Sequence, residues 1–282
     1  MVGPLAIFDS GLGGLTILHQ IQKKLPDIDL CYLGDNARVP YGNRSFETVY
    51  RFTREGVYTL LQRGAPLVIV ACNTASAKAL RSIQQVDLPR WQKEWGQDGP
   101  EMRVLGVLRP TTERAGELTR SGVLGLLATR GTVESGSYAS ELAHLFPQIQ
   151  LVSHACPLWV PLIEEGITQG PVAEAIVQSD LDQLCAKAPA MDAVLLGCTH
   201  YPLLAPLIRR LLPPSIGVFE QGTMVADALA LYLDRHPDLS AVLSRSGTTQ
   251  YFTTEDPRHF DQKAALFGAT HVQSQALELL EP

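Results

Sequence analysis

Two cysteines stand at matching points of two similar stretches of the sequence. In VIVACNTAS, Cys72 follows an apolar run and precedes Asn73, Thr74 and a helical pattern, and in AVLLGCTHYP, Cys198 has the same setting. A thiol at a helix N-terminus meets free N–H groups and a partial positive charge, which lower its pKa. We therefore expect thiols that ionise readily, with Asn73 and Thr74 capping the first helix.

A core role is the alternative for any single cysteine, since free cysteine is among the most buried residue types. The five cysteines are odd in number, widely spaced and without a CxxC pair, which argues against a disulfide framework and a structural zinc site. His154 and Cys156 lack a second pair at ligand spacing, so no metal is expected. Cys31, Cys156 and Cys185 are interpreted as core or surface thiols.

Short apolar runs alternate with helical patterns, which predicts parallel sheets flanked by helices. The segment 87–101 is polar and rich in Pro and Gly, and it is interpreted as a domain crossing. The predicted strands are 4–8, 29–35, 66–71, 102–108, 122–128, 149–155, 191–198, 215–221 and 248–254, and the predicted helices are 14–25, 45–64, 131–146 and 257–268.

Two internal similarities occur at nearly the same offset. LAIFDSGLGGLTIL resembles VLGLLATRGTVESG, which matches Asp9 to Thr129, and the two cysteine stretches match Cys72 to Cys198. They predict two similar α/β halves. Ligands of open α/β sheets bind beyond the carboxyl ends of the strands, where these four residues stand. Two facing halves would place one thiol on each side of a cleft, an arrangement suited to moving a proton on and off a stereocentre.

Two neighbouring features allow more than one interpretation. Asp9 is a carboxylate able to relay a proton to Cys72, and equally an N-cap for the helix in GLGGLTIL. Pro202 fits the first turn of the helix after Cys198, but Pro206 removes one early helical hydrogen bond, which leaves that helix start uncertain.

Other classes of function are disfavoured. The net charge is −6 without a basic run, which argues against nucleic acid. GLGG at 11–14 fails the GxGxxG pattern at Thr16, no P-loop occurs, and Lys78 gives little support for pyridoxal chemistry, so a cofactor-free reaction is expected. No leader is visible and the apolar runs fall short of the roughly 20 residues of a membrane span. We expect a soluble, cytoplasmic protein.

The motifs FDSGLGGLTIL, YLGDNARVPYGNRS, ACNTASA, LLATRGTVESGSY, ACPLWVPLIEEG and LLGCTHYPLL occur in order from about residue 5 to 212. This set closely resembles the glutamate racemases of bacterial cell-wall synthesis, in the cofactor-independent aspartate/glutamate racemase family. The resemblance implies interconversion of L- and D-glutamate without a cofactor, and a supply of D-glutamate for peptidoglycan. It implies that Cys72 and Cys198 are the catalytic acid/base pair, assisted by Asp9, His200 and Glu164. The implied ligand contacts are Ser10, Tyr41, Gly42, Asn73, Thr74, Thr129, Thr132 and Thr199.

The resemblance also implies two α/β domains with the active site between them, and often a homodimer. We expect residues 1–100 plus 215–282 to form the first domain, with Cys72, and residues 101–214 the second, with Cys198. The sequence departs from the family pattern at Asn36, at Arg109, Thr111 and Thr112, and in VFEQG.

Two other functions stay open. One is racemisation of aspartate or a related compound, although that relative typically carries a carboxylate two residues after the second cysteine, where this chain has His200. The other is a non-catalytic binding module of the same fold, against which the intact cysteines argue. Without the resemblance, Tyr41 is as readily a simple loop aromatic, and Glu164 and Glu165 form an ordinary solvated helix face.

Overall fold

The computed structural model describes residues 2–96 and 102–282. The strands of this part of the chain are β1 Leu5–Asp9, β2 Leu30–Gly34, β3 Leu67–Val70, β4 Arg103–Gly106, β5 Val123–Ala128, β6 Gln150–Ala155, β7 Ala193–Gly197, β8 Gly217–Phe219, β9 Thr249–Thr253 and β10 Ser274–Ala276. Its α-helices are α1 Leu15–Lys24, α2 Phe46–Gln62, α3 Asn73–Lys78, α4 Leu80–Ser82, α5 Leu88–Glu94, α6 Leu108–Thr112, α7 Ala115–Leu118, α8 Arg130–Glu134, α9 Ser137–Leu145, α10 Trp159–Glu164, α11 Pro171–Lys187, α12 Ala205–Leu211, α13 Gly222–Arg235, α14 Pro237–Ala241 and α15 Pro257–Ala264.

The strands form two parallel sheets, which confirms the predicted fold class. One sheet has six strands in the order β10-β9-β2-β1-β3-β4, and the other has four in the order β6-β5-β7-β8. Strands β1, β3 and β7 are buried along their whole length. Burial on both faces is the reason that they read as unbroken apolar runs instead of alternating patterns.

The internal similarity of the sequence corresponds to a similarity of topology. The order β2-β1-β3-β4 in one sheet matches β6-β5-β7-β8 in the other. The strand that ends at Asp9 therefore takes the place of the strand before Thr129, and the strand before Cys72 takes the place of the strand before Cys198. Two similar halves are present, as the sequence predicted.

Local capping explains where several helices begin and end. The Ser45 hydroxyl accepts the N–H of Thr48 at 3.2 Å and starts α2, and Gly64, with φ 92°, follows its end. The single helix predicted over 131–146 is two helices, α8 and α9. Gly136 between them has φ 67°, a left-handed conformation that glycine adopts without a steric penalty.

The crossings between the sheets differ from the predicted boundaries. Strand β4, expected in the second domain, pairs with β3 of the six-stranded sheet, and β8, expected in the first, pairs with β7 of the four-stranded sheet. The chain therefore crosses after β4 and again between β8 and α13, which packs against α1. The expected crossing over 87–101 contains α5, and its last residues, 97–101, lie outside the described part. Polar composition indicates a surface segment but does not determine which sheet the next strand joins.

In the described residues, the helices are too short or too polar to cross a membrane.

Candidate active site

Cys72 and Cys198 line one cavity from opposite sheets. Cys72 follows β3 of the six-stranded sheet and Cys198 follows β7 of the four-stranded sheet. Each is only 6% exposed. The cavity measures about 40 Å³. Each half therefore contributes one thiol, at the carboxyl end of a strand, to the same cavity.

Cys72 itself caps α3. Its Sγ accepts the N–H of Ala75 at 3.5 Å, so Asn73 and Thr74 are the first residues of the helix and not its caps, contrary to the prediction. Burial raises the pKa of the Cys72 thiol to about 11, and the negative charge of Asp9 adds to this. The N–H groups at the start of α3 oppose the shift but are weaker than the loss of hydration. The expected low pKa is therefore wrong for Cys72.

Cys198 precedes a 3-10 turn and not an α-helix. The turn runs from Tyr201 to Leu204, and α12 begins after it. Pro202 and Pro206 each stand in the first turn of a separate element, so both prolines are accommodated. Burial also raises the pKa of the Cys198 thiol, although the N–H groups of His200 and Tyr201 favour the thiolate.

Asp9 is fully buried below the cavity and does not cap a helix. Its Oδ2 accepts the N–H of Gly11 at 3.0 Å, whereas Gly14 is the N-cap of α1. The Thr199 hydroxyl donates to Oδ1 at 3.5 Å. Burial raises the pKa of Asp9, and the electrostatic effect of the nearby His200 and these hydrogen bonds oppose the shift. A buried carboxylate of raised pKa is a stronger proton acceptor than an exposed one.

His200 and Glu164 form a pair at the edge of the cavity. The His200 Nε2 lies 3.1 Å from the Glu164 Oε1, and both residues line the cavity. Glu164 is the last residue of α10, whereas its neighbour Glu165 is 72% exposed and lies 3.8 Å from Lys263. The interpretation of both glutamates as one solvated face is therefore wrong for Glu164.

Three threonine hydroxyls connect the two halves beside the thiols. Thr74 lies 2.8 Å from Thr129 and 3.2 Å from Thr132, and Thr129 and Thr132 are 3.0 Å apart. Thr129 also caps α8 by accepting the Thr132 N–H at 3.3 Å. Thr74 and Thr129 line the cavity, whereas Thr132 lies behind them. The hydroxyl hydrogens can turn toward a ligand or toward each other.

Tyr41 stands in the loop before α2, but its side chain is buried in the cavity wall, so it is more than a simple loop aromatic. It is 1% exposed, its ring packs against Phe52, and its hydroxyl donates to Asp35. Gly42 beside it packs against the second half, where its carbonyl accepts the Gly131 N–H at 2.8 Å. The other predicted contacts on the cavity wall are Ser10, Asn73 and Thr199.

Several residues of the cavity wall were not predicted from the sequence. Cys156 directly follows β6, the same position relative to a strand that drew attention to Cys198, and this signal could have identified it. The prolines and apolar residues had no chemical signal. The additional wall residues are Val39, Pro40, Asn43, Cys156, Pro157, Val160 and Pro161.

A group of possible metal ligands lies behind this wall. One ligand atom each of His154, Cys156 and Asp180 falls within 4.8 Å of the others. Both oxygens of Asp180 already have partners, since His154 lies 2.9 Å from one and the Trp159 indole donates to the other at 2.7 Å. This hydrogen bonding accounts for the group without a metal.

Comparison with known proteins agrees with this geometry. A family model described as Asp/Glu/hydantoin racemase matches residues 15–229. The chain is 41% identical over 273 residues to a glutamate racemase from Ruegeria pomeroyi, covering 93% of this chain and 96% of the relative. It superposes on a glutamate racemase isoform from Bacillus anthracis with TM-score 0.85 and 30% identity, covering 98% and 97% of the two chains. A glutamate racemase from Francisella tularensis in complex with D-glutamate superposes with TM-score 0.83, 27% identity and the same coverage.

A match over most of the chain, together with two halves that bring one thiol each to a shared cavity, identifies the protein as a member of the Asp/Glu/hydantoin racemase family.

Proposed function

We propose that the protein interconverts L- and D-glutamate without a cofactor, with Cys72 and Cys198 as the two acid/base groups. The observation that carries this proposal is the pair of buried thiols, one from each sheet, on the wall of one cavity. Relatives at 35–41% identity that bear the name glutamate racemase support the choice of substrate.

In the proposed reaction, the thiolate of one cysteine takes the α-proton of glutamate and becomes a thiol. The electron pair of the C–H bond stays on the α-carbon as carbanion character. The thiol of the opposite cysteine gives its proton to the other face of that carbon and becomes a thiolate. One proton leaves and one arrives, so the enantiomer is inverted without any net change in composition.

The raised thiol pKa values impose one requirement on this scheme. Burial raises the pKa of both thiols, so the proposed reaction needs a neighbouring base that takes the proton of the thiol that acts first. Asp9 serves Cys72, because its charge acts on that thiol and its own pKa is raised. His200, held by Glu164, serves Cys198.

Small polar groups on the wall are proposed to bind the ammonium and carboxylate groups of the substrate. Their hydroxyl, amide and backbone N–H groups suit an amino acid that must be oriented between two thiols. The proposed contacts on the wall are Ser10, Tyr41, Gly42, Asn73, Thr74, Thr129 and Thr199. Thr132, also proposed as a contact, is bonded to Thr74 and Thr129 and would act through them.

The wider setting follows the family resemblance. We propose a homodimer in the cytoplasm that supplies D-glutamate for peptidoglycan.

The test is incubation of the purified protein with each enantiomer of glutamate and of aspartate, followed by chiral chromatography. We expect both glutamate enantiomers to reach an equal mixture and aspartate to remain unchanged. Inversion of aspartate alone would overturn the choice of substrate. Inversion of neither amino acid would support a binding module and overturn the proposal.

A further inference from the structure

A closed ring of hydrogen bonds lies directly behind the cavity wall at Asn73. The Asn73 amide donates to the Gln221 Oε1 at 2.7 Å, the Gln221 Nε2 donates to the Tyr138 hydroxyl at 2.5 Å, and the Tyr138 hydroxyl donates to the Asn73 Oδ1 at 2.7 Å. The Gln221 Nε2 also donates to the Thr111 hydroxyl at 2.9 Å. None of these four side chains is more than 2% exposed.

Thr111 determines the direction in which this ring runs. Its single hydroxyl hydrogen is donated to the Val107 carbonyl at 2.7 Å, so toward Gln221 the hydroxyl can only accept. Gln221 must therefore turn its Nε2 toward Thr111 and its Oε1 toward Asn73. In the reversed ring the Gln221 oxygen would accept from Tyr138, but it would also face the Thr111 hydroxyl oxygen without a hydrogen between them, so one buried hydrogen bond is replaced by a repulsive oxygen–oxygen contact.

The direction of the ring fixes where the two polar atoms of the Asn73 amide lie. The amide nitrogen lies toward Gln221 and the amide oxygen toward Tyr138. The nitrogen carries two hydrogens and Gln221 takes one of them. The second has no described partner within the protein, and Asn73 is a residue of the cavity wall, so a ligand in the cavity is its available acceptor.

The three ring residues and Thr111 come from four elements of the two halves. Asn73 begins α3, Thr111 lies on α6, Tyr138 lies on α9, and Gln221 directly precedes α13. Thr111 and Gln221 thus stand near the two points where the chain crosses between the sheets. Both positions are also departures from the family pattern, and they contact each other.

We infer that Thr111, Tyr138 and Gln221 are positioning residues that lock the Asn73 amide with an N–H toward the cavity, where it binds an acceptor oxygen of the substrate. This inference rests on the proposed function, since glutamate supplies carboxylate oxygens as acceptors. The positioning residues act through Asn73 and do not line the cavity.

Thr112 offers a matched control on the same helix. Its hydroxyl is also buried and donates to helix carbonyls, at 3.3 Å to Leu108 and 3.1 Å to Arg109, but it has no described bond to Gln221. Thr112→Val therefore removes the same group at the same depth and leaves the ring intact. Thr111→Ser keeps the hydroxyl that determines the ring direction.

The experiment measures kcat and KM for glutamate racemisation by the wild type, Thr111→Val, Thr111→Ser and Thr112→Val. We expect Thr111→Val to raise KM about three- to tenfold with a smaller change in kcat. This is the effect of losing one hydrogen bond that is made equally to the bound substrate and to the transition state. Thr111→Ser restores the wild-type KM, and Thr112→Val leaves it unchanged. Tyr138→Phe, which removes the hydrogen given to Asn73, raises KM similarly and serves if Thr111→Val does not fold.

Two results overturn the inference in different ways. If the wild type racemises glutamate but Thr111→Val and Tyr138→Phe match Thr112→Val in KM, the positioning role is wrong and the proposed function stands. If the wild type does not racemise glutamate, the proposed function fails and the inference fails with it.

Discussion

Cys72, Cys156 and Cys198 line the same cavity, and burial raises the pKa of each thiol. All three have possible proton acceptors nearby. Asp9 acts on Cys72, His200 follows Cys198 by two residues, and the Cys156 Sγ lies within 4.8 Å of ligand atoms of His154 and Asp180. What separates Cys156 from the proposed catalytic pair is its strand, because Cys72 and Cys198 follow β3 and β7, which occupy matching places in the two sheets, whereas Cys156 follows β6.

Serine substitution at the three cysteines tests this distinction. Cys72→Ser and Cys198→Ser are each expected to lower kcat for glutamate racemisation by about 10²–10⁴-fold, because an alcohol is much harder to ionise than a thiol. Cys156→Ser, the matched control on the same wall, is expected to keep most of the activity. Near-normal turnover by either of the first two variants would rule out the two-thiol mechanism.

Asp9→Asn tests the buried carboxylate through stability. Because burial raises the pKa of Asp9, the folded protein binds this proton more tightly than the unfolded chain does. The stability contributed by the proton is complete below the unfolded pKa, about 4, and is lost as pH rises through the folded pKa. The variant has no such proton to lose. We expect its Tm to exceed that of the wild type at about pH 8 and the difference to vanish below about pH 4.

Asp29→Asn is a comparison in which the pH dependence of stability has the opposite sign. Hydrogen bonds, the largest from Ser246, lower the pKa of Asp29, so its stabilising contribution is present at neutral pH and is lost as pH falls. Asp29→Asn is expected to lower Tm at about pH 8. An Asp9→Asn variant that also loses stability there would contradict the account of Asp9. Asp9→Asn should also racemise glutamate more slowly, since Cys72 loses its proton acceptor.

The sequence identified both cysteines of the proposed pair but gave the wrong direction for their pKa. The position of a thiol before a helix can be read from the order of residues. Its depth depends on how two sheets pack, and burial at Cys72 outweighs the few N–H groups that α3 provides.

The orientation of α10 gives the adjacent residues Glu164 and Glu165 different surroundings, which the sequence alone does not indicate. Glu164 points to the cavity and contacts His200, whereas Glu165 points to solvent. Glu164→Ala is expected to lower kcat/KM for glutamate about tenfold or more, since it removes the hydrogen bond that holds the His200 ring. Glu165→Ala should match the wild type. Equal kinetics for the two variants would argue against a role for the His200 pair.

The loop before α1 packs tightly against the second half. A Cβ added at Gly13 would lie 2.3 Å from the His200 Nδ1 and from the Thr199 Oγ1. Gly13→Ala must displace these residues, and we expect activity to fall about 10²-fold, as when a catalytic group is misplaced by about 1 Å.

A glycine distant from the cavity provides the control for this steric effect. A Cβ at Gly116 would lie 2.8 Å from the Phe146 ring. Gly116→Ala is expected to lower Tm but to leave the kcat of the folded protein unchanged. Equal losses of kcat in both alanine variants would show that general strain is responsible, and not displacement of His200.

Elements with strong local signals were predicted well, and those without them were not. The strand runs were found because buried parallel strands are continuously apolar. The break at Gly136 was missed, because a helical pattern tolerates an isolated glycine and the sequence does not show that this one has a left-handed φ. The short strand β10 has the sequence SQA and carries no apolar signal at all; its pairing with β9 defines it.

At the scale of the whole molecule, the two matching halves were predictable, but the paths between them were not. The matched positions of Cys72 and Cys198 reflect a repeated strand order. Which sheet receives β4 or β8 depends on pairing with β3 or β7, and neither short strand carries that information in its own residues. The ring of Asn73, Tyr138 and Gln221 could not be predicted from the sequence either, because its members are distant in sequence.

Solvent isotope incorporation tests the two-thiol claim most directly. L-glutamate is converted in D₂O and stopped at low conversion, and the deuterium at the α-carbon is measured by NMR in the separated enantiomers. We expect the D-glutamate formed to carry deuterium from its first appearance, because its proton comes from the opposite thiol after exchange with solvent. The recovered L-glutamate should carry little deuterium. D-glutamate that keeps its original α-proton would contradict the account, since a single base would then have removed and returned it.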